Sequence, residues 1–108
     1  MGVSDWAGVP RQEALLSMQR ALWQIPTPEL RGVAIGERAG AVAADFLYDG
    51  EIADDQRELV SLAETYFMSD CLPEVVVRFR AIATRAPEPL DMQGLDWWVY
   101  LRWEPEAE

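Results

Sequence analysis

The spacing of apolar residues switches twice from helical to strand-like along this chain, and that order limits the fold more than any other feature. Over residues 11–25 apolar side chains recur three and four positions apart, which predicts a helix with one buried face. Residues 30–36 and 41–50 then alternate between apolar and other side chains, with a short turn between them. These two segments predict a β-hairpin.

The same succession of spacings is repeated in the second half of the chain. Residues 54–69 return to helical spacing, and residues 74–84 and 95–103 alternate again. Alternation of this kind is typical of a mostly antiparallel sheet with one covered face. We therefore predict an α+β fold of order α-β-β-α-β-β, in which two helices pack on one face of a four-stranded, mostly antiparallel sheet.

The uncovered face of this sheet is expected to carry aromatic and basic side chains. If the last two strands pair as a hairpin, these side chains lie together and can form cation–π contacts. They either shield one another from water or offer a contact surface. The residues on this face would be Arg78, Arg80, Trp98, Tyr100 and Arg102.

The length of 108 residues suffices for one hydrophobic core, so we expect a single domain over residues 1–108. Residues 1–9 and 105–108 are expected to be flexible tails. No apolar run approaches the roughly 20 residues of a membrane span, and the amino terminus lacks the pattern of a secretion signal. The one cysteine, Cys71, agrees with a reducing compartment, and we expect a soluble, cytoplasmic protein.

The charged residues exclude several kinds of chemistry. All nine basic residues are arginine, and the chain has no histidine. It therefore lacks a Ser-His or Cys-His pair, an imidazole metal ligand and a Schiff-base lysine. The net charge of -10 repels nucleic acid and attracts basic surfaces. We expect no catalytic residue, no cofactor and no nucleic-acid or membrane ligand, and a basic protein as the partner.

One stretch, YDGEIADDQRE at residues 48–58, is dense in carboxylates. With the residue three positions upstream it supplies six acids, Asp45, Asp49, Glu51, Asp54, Asp55 and Glu58. Their spacing does not match a calcium loop, so no metal site is expected. Asp54 or Asp55 can cap the second helix, and Glu58 fits a capping box with Asp55. The other acids add repulsion, which favours a surface facing a positive partner over a solvated face without special function.

Several pieces of the chain carry a resemblance to a known family, namely MQRALW, PELRGVAI, FLYDGEIADDQRELVSLAET, and APEPL followed by WWVYLRWE. These pieces resemble small bacterial immunity proteins, those of contact-dependent growth inhibition and related polymorphic toxin systems. The resemblance spans about residues 14–104 and includes no catalytic motif. It departs at Gln24, where a glycine is expected to end the first helix.

This resemblance implies a protein that binds a toxin domain, often a basic nuclease, and blocks it without chemistry of its own. We expect the contact to use the acidic stretch, with two aromatic side chains as anchors. The partner-binding residues would then be Asp45, Asp49, Glu51, Asp54, Asp55, Glu58, Trp98 and Tyr100.

Two other classes of function stay open on the sequence alone. A nucleic-acid mimic that inhibits a DNA-binding or defence protein would present its acids in a regular row. A small acidic ligand-binding domain or enzyme would present a concave pocket with inward carboxylates. The sequence does not decide whether the chain pairs with itself through an exposed strand edge.

Overall fold

A computed structural model of the protein describes residues 5–104, which form two helices and six strands. In chain order the elements are β1 (Asp5–Trp6), β2 (Val9–Pro10), α1 (Arg11–Ala21), β3 (Leu30–Arg38), β4 (Ala41–Tyr48), α2 (Asp54–Ser69), β5 (Val77–Ala83) and β6 (Trp97–Leu101). The predicted α+β class is confirmed, and so is the predicted order from α1 to β6. The β1–β2 hairpin precedes the elements that the sequence predicts.

Strands β3 to β6 form one sheet, in the order β5-β4-β3-β6. β3 pairs antiparallel with both β4 and β6, which confirms the mostly antiparallel character. β4 and β5 pair in parallel, because α2 carries the chain back along the sheet between them. β5 and β6 therefore lie on opposite edges, and the hairpin considered for the last two strands does not form.

Both helices pack on one face of this sheet, and the main core lies between them. β4 is buried along all 8 of its residues. Its side chains on the helix side are the ones that the alternation predicts, Val42, Ala44, Phe46 and Tyr48. Met18 of α1 and Phe67 of α2 enter the same cluster, and burial of such a side chain contributes roughly 1.5–3 kcal/mol.

The second face of the sheet, expected to be uncovered, is crossed by the connection between β5 and β6. Residues 84–96 run from one edge of the sheet to the other, and Leu95 packs on Ala34 and Ala43. Small side chains on β3 make room for this segment. At Gly36 a β-carbon would lie 2.9 Å from a backbone nitrogen of the segment, which is closer than real contacts allow. The sheet is therefore covered on both faces along much of its length.

A β-bulge in β6 breaks the alternation that the sequence shows there. Val33 of β3 lies opposite Tyr100, whereas the next residue, Ala34, lies opposite Trp98. The residue between them on β6, Val99, is extra and shifts the side-chain pattern. Tyr100 consequently packs against the helix-side core, while Trp98 packs on the other face with Ala34. The prediction that both aromatic residues share one face is wrong.

The amino-terminal hairpin is part of the folded structure. Residues 5–9 were expected in a flexible tail, but Trp6 is only 1% exposed and belongs to the main core. Its indole Nε1 donates a hydrogen bond of 2.7 Å to the Asp96 carboxylate. The Arg11 guanidinium lies 5.3 Å from the centre of a Trp6 ring, within the range of a cation–π contact. Residues 1–4 and 105–108, the rest of the expected tails, lie outside the described residues.

Helix α1 ends at Ala21, about one turn before the predicted end at residue 25. The chain leaves it through Gln24, whose φ of 64° lies in the left-handed region that glycine adopts without strain. This conformation explains why a glycine is expected at position 24, because left-handed residues after a helix are usually glycine.

Replacing Gln24 with glycine is expected to raise the free energy of unfolding by about 0.5–1 kcal/mol, since it removes the β-carbon from a left-handed residue. The Gln24 side chain is exposed, so little contact is lost. Chemical denaturation measures the difference. The matched control is Gln19→Gly, an exposed position inside α1, which should lower the same quantity by about 1 kcal/mol. Destabilisation by both substitutions would contradict this explanation.

Candidate partner-binding surface

Six carboxylates gather where β4 ends and α2 begins. Residues 49–53 form the short connection between these two elements. Pairing of β3 with β4 brings Glu29 to the same place, since its carbonyl accepts the N–H of Asp49 at 2.8 Å. The sequence analysis missed Glu29, although a hairpin with residue 30 opposite residue 48 would have identified it. We call this surface the acid end, and it consists of Glu29, Asp49, Glu51, Asp54, Asp55 and Glu58.

The start of α2 is capped by a glutamine and not by its aspartates. Ala53 occupies the N-cap position, and its N–H donates a hydrogen bond of 2.9 Å to Gln56 Oε1. The predicted capping by Asp54 or Asp55 is therefore wrong. Both aspartates lie in the first helical turn, where the helix dipole favours a carboxylate by about 0.3–1 kcal/mol. Their carboxylates are not used for capping.

Most of the acid end is open to solvent. The exposed members are Glu29, Glu51, Asp54, Asp55 and Glu58. Within residues 5–104, none of these five takes part in an ion pair. Asp54 and Glu58 are four residues apart on α2, a spacing at which like charges cost roughly 0.2–0.5 kcal/mol. The exposed cations close by in sequence or space are Arg57 and Arg85, so carboxylates remain in excess.

Tyr48, the last residue of β4, lies under this acidic surface. Its side chain is fully buried, and its hydroxyl has no hydrogen-bond partner among the described residues. Burial, together with the charges of Asp55 and Glu29, raises the pKa of Tyr48 to about 12. Asp55 and Glu29, which come from separate segments, are therefore both close enough to Tyr48 to affect its pKa.

Asp49 is held more tightly than the rest of the acid end. Its Oδ1 accepts the N–H of Ala86 at 2.9 Å, and its Oδ2 lies 3.5 Å from an Arg102 nitrogen. The hydrogen bond from Ala86 and the Arg102 charge keep the pKa of Asp49 below its ordinary value. Asp49 thus ties the segment after β5 to the end of β4, and its negative charge is partly compensated.

Asp45 does not belong to this surface, although the sequence analysis placed it among the partner-binding residues. Its side chain has no exposed area, and it is bound by Arg38 at 2.7 Å and by Arg80 at 2.8 Å. Burial alone would raise the pKa of Asp45, but hydrogen bonds from the two arginines bring it below its ordinary value. A carboxylate in this position cannot contact a partner and instead joins three strands.

The two aromatic residues predicted as anchors are half-buried and lie on different sides of β6. Trp98 packs against the segment that covers the second face, and Tyr100 packs against the main core. The aromatic side chains with the largest exposed fractions are others, Trp103 at 83% and Trp23 at 73%. Sequence alternation could not distinguish these cases, because the bulge in β6 changes which side chains face inwards.

A part-buried ion pair supports the sheet near the acid end. Arg31 is 3% exposed, and its guanidinium binds the Glu104 carboxylate through two hydrogen bonds of 2.7 and 2.9 Å. Arg102 donates to the same carboxylate at 2.8 Å. The hydrogen bonds from Arg31, with those from Arg102, lower the pKa of Glu104 to about 2. This network fixes the segment after β6 against β3.

No group of three or more histidine, cysteine or acidic side chains within residues 5–104 is arranged to hold a metal ion. In the same part of the chain, no helix is long and apolar enough to cross a membrane. The fold and the surface thus define a small α+β protein with a concentrated acidic surface, without a metal-binding cluster in the described part of the chain.

Comparison with known protein families identifies the family of this protein. The model of a family described as MafI2 immunity protein matches residues 11–104, which is most of the chain. The chain therefore belongs to this family, and the resemblance to immunity proteins of polymorphic toxin systems is confirmed. That the system is contact-dependent growth inhibition in particular stays a prediction. Comparison with curated proteins and with solved structures gave no match.

Replacing Glu104 with glutamine is expected to lower the free energy of unfolding by about 1.5–3 kcal/mol at pH 7, because Arg31 loses a charged partner. The pKa of Glu104 is lower in the folded protein than its ordinary value, 4.5. Its contribution is therefore complete above pH 4.5 and is lost as the pH falls towards about 2. Denaturation of both proteins across this range should show the difference shrinking.

A control for this experiment is Glu74→Gln, since Glu74 is exposed and takes part in no ion pair within residues 5–104. It should change the free energy of unfolding by less than about 0.5 kcal/mol at every pH. A Glu104→Gln difference that stays constant from pH 7 to pH 2 would argue against the ion pair as its origin.

Proposed function

We propose that this protein neutralises a cognate toxin domain by binding a basic surface of that domain with its acid end. Family membership supports toxin immunity as the general role. The observation that carries the finer proposal is the state of Glu51, Asp54, Asp55 and Glu58, which are adjacent, exposed and without ion pairs among the described residues. Asp45 is excluded from the contact by its burial.

A basic partner suits the acid end on electrostatic grounds. Mutual repulsion between neighbouring carboxylates, such as Asp54 and Glu58, is relieved when lysine or arginine side chains approach them. The net charge of -10 also attracts a basic domain at long range, and steering of this kind raises association rates roughly 10- to 1000-fold at low salt. Nucleases bind phosphates through lysine and arginine, so a basic nuclease is the toxin class that we propose.

Neutralisation by this route requires no chemistry from the immunity protein. A carboxylate surface placed over the cationic substrate path of a nuclease prevents entry of its substrate, and binding alone is sufficient. We therefore propose a non-catalytic protein without a cofactor. We place the complex in the cytoplasm, where a nuclease toxin would meet nucleic acid.

Neutralisation can be tested by co-expression. We expect the carboxy-terminal domain of a larger protein encoded beside this one to arrest growth when it is induced alone, and to be harmless when this protein is produced with it. Colony counts after induction measure the effect, with an unrelated acidic protein of similar size as the control. Persistent toxicity, with both proteins present in soluble form, would contradict the immunity role.

The acid end can be tested separately, by rates. The variant E51Q/D54N/D55N should bind the toxin domain roughly tenfold more slowly at low salt and with weaker salt dependence, because it removes three charges from the proposed contact. Stopped-flow association measures this. The matched control D5N/E13Q/E74Q changes three exposed acids that lie outside the acid end. Equal slowing of both variants would indicate net charge alone, and unchanged rates would exclude the acid end as the interface.

A further inference from the structure

Three arginines line a groove near the start of β4, at the opposite end of the strand from the acid end. The groove has a volume of about 450 Å³ and lies between Arg38, Arg78 and Arg80, with Ala43 beneath. This volume falls within the range of small-ligand sites, about 300–1,000 Å³. We call it the arginine groove.

The strand register explains why these arginines meet. β3 ends at Arg38, directly before the turn into β4. β5 runs parallel to β4, so Arg78 lies beside Ala43 and Arg80 lies beside Asp45. The small side chain of Ala43 leaves space among the three guanidinium groups. Arg38 and Ala43 from one hairpin therefore meet Arg78 and Arg80 from β5, which is distant in sequence.

Asp45 orients two of the three arginines without using all of their donors. Arg38 binds it at 3.1 and 2.7 Å, and Arg80 binds it at 2.8 and 3.3 Å. Arg38 also donates to the Gln93 carbonyl at 3.0 Å. Each guanidinium has five N–H groups, so both arginines still retain donors that these contacts do not use. The side chains of Arg38 and Arg80 are 33% and 53% exposed, so neither side chain is closed off from solvent.

Arg78 is the third arginine of the groove, and its side chain has no bonding partner in the described structure. It is exposed, and within residues 5–104 it makes no ion pair and no side-chain hydrogen bond. Three arginines against the single charge of Asp45 leave two positive charges in excess at the groove. Such an excess stands out in a chain whose net charge is -10.

We propose that the arginine groove binds an oxyanion, namely a phosphate or carboxylate group. Guanidinium groups match both in geometry, because they donate paired hydrogen bonds to two oxygens of one group. Asp45 holds two of the guanidinium groups in place before the ligand arrives, which reduces the conformational entropy lost on binding. The inference is independent of the acid end and of the toxin.

The test is a titration of the intact protein with two probes, inorganic pyrophosphate and a pentaglutamate peptide, followed by NMR. Saturable shifts are expected for the backbone amide of Ala43 and the side-chain Nε signals of Arg78 and Arg80. Arg78→Gln should weaken binding on the order of tenfold, the effect of losing one charge-assisted hydrogen-bond donor. Tighter binding of pyrophosphate would identify phosphate as the preferred group, and tighter binding of the peptide would identify carboxylate.

The control variant is Arg85→Gln, which removes the same charge from an exposed arginine beside Gly50, near the acid end. It should bind both probes as the parent protein does. Thermal melting should show that both variants remain folded, since each arginine is exposed. Shifts that do not saturate with either probe, or equal weakening by Arg78→Gln and Arg85→Gln, would overturn the proposal.

Discussion

Burial of β4 along its whole length is the constraint on which the rest of the structure depends. A strand buried at all 8 residues needs neighbours on both edges and cover on both faces. β3 and β5 pair with the two edges of β4. The helices cover one face of the strand, and residues 84–96 cross the other face. Since an unpaired charge is too costly in that interior, Asp45 is retained only with two arginines bound to it.

This arrangement separates the arginine groove from the acid end along the direction of β4. Arg38 and Arg80 of the arginine groove bind Asp45, which lies four residues before Asp49 of the acid end, a distance of about 13 Å along an extended strand. At physiological ionic strength the Debye length is about 8 Å, so interactions between the exposed charges of the two regions are largely screened. The acid end can therefore attract a basic domain although arginines are present elsewhere on the surface. Net charge alone would not reveal that the protein carries two distinct electrostatic surfaces.

Local periodicity predicted the helices and strands well. It could not predict the direction of strand pairing, the bulge or the burial of Trp6, because these depend on contacts between distant segments. The helix over residues 54–69 and the core face of β4 follow from spacing that each segment carries by itself. The parallel pairing of β4 with β5 does not, because a strand alternates in the same way in either direction. One signal was available at Asp45, since a carboxylate inside an apolar strand requires a cationic partner. The bulge at Val99 and the buried Trp6 depend on contacts with distant segments, which one sequence does not encode locally.

Amide hydrogen exchange of the protein, alone and bound to its toxin domain, tests the central claim most directly. The first amides of a helix have no partner within the helix, so those at the start of α2 exchange quickly and report sensitively on a bound partner. The account predicts slower exchange over residues 49–58 in the complex, with the amides of β6 unchanged as an internal reference. Unchanged exchange over residues 49–58, together with protection of β6 or of another surface, would show that the acid end is not where the toxin binds.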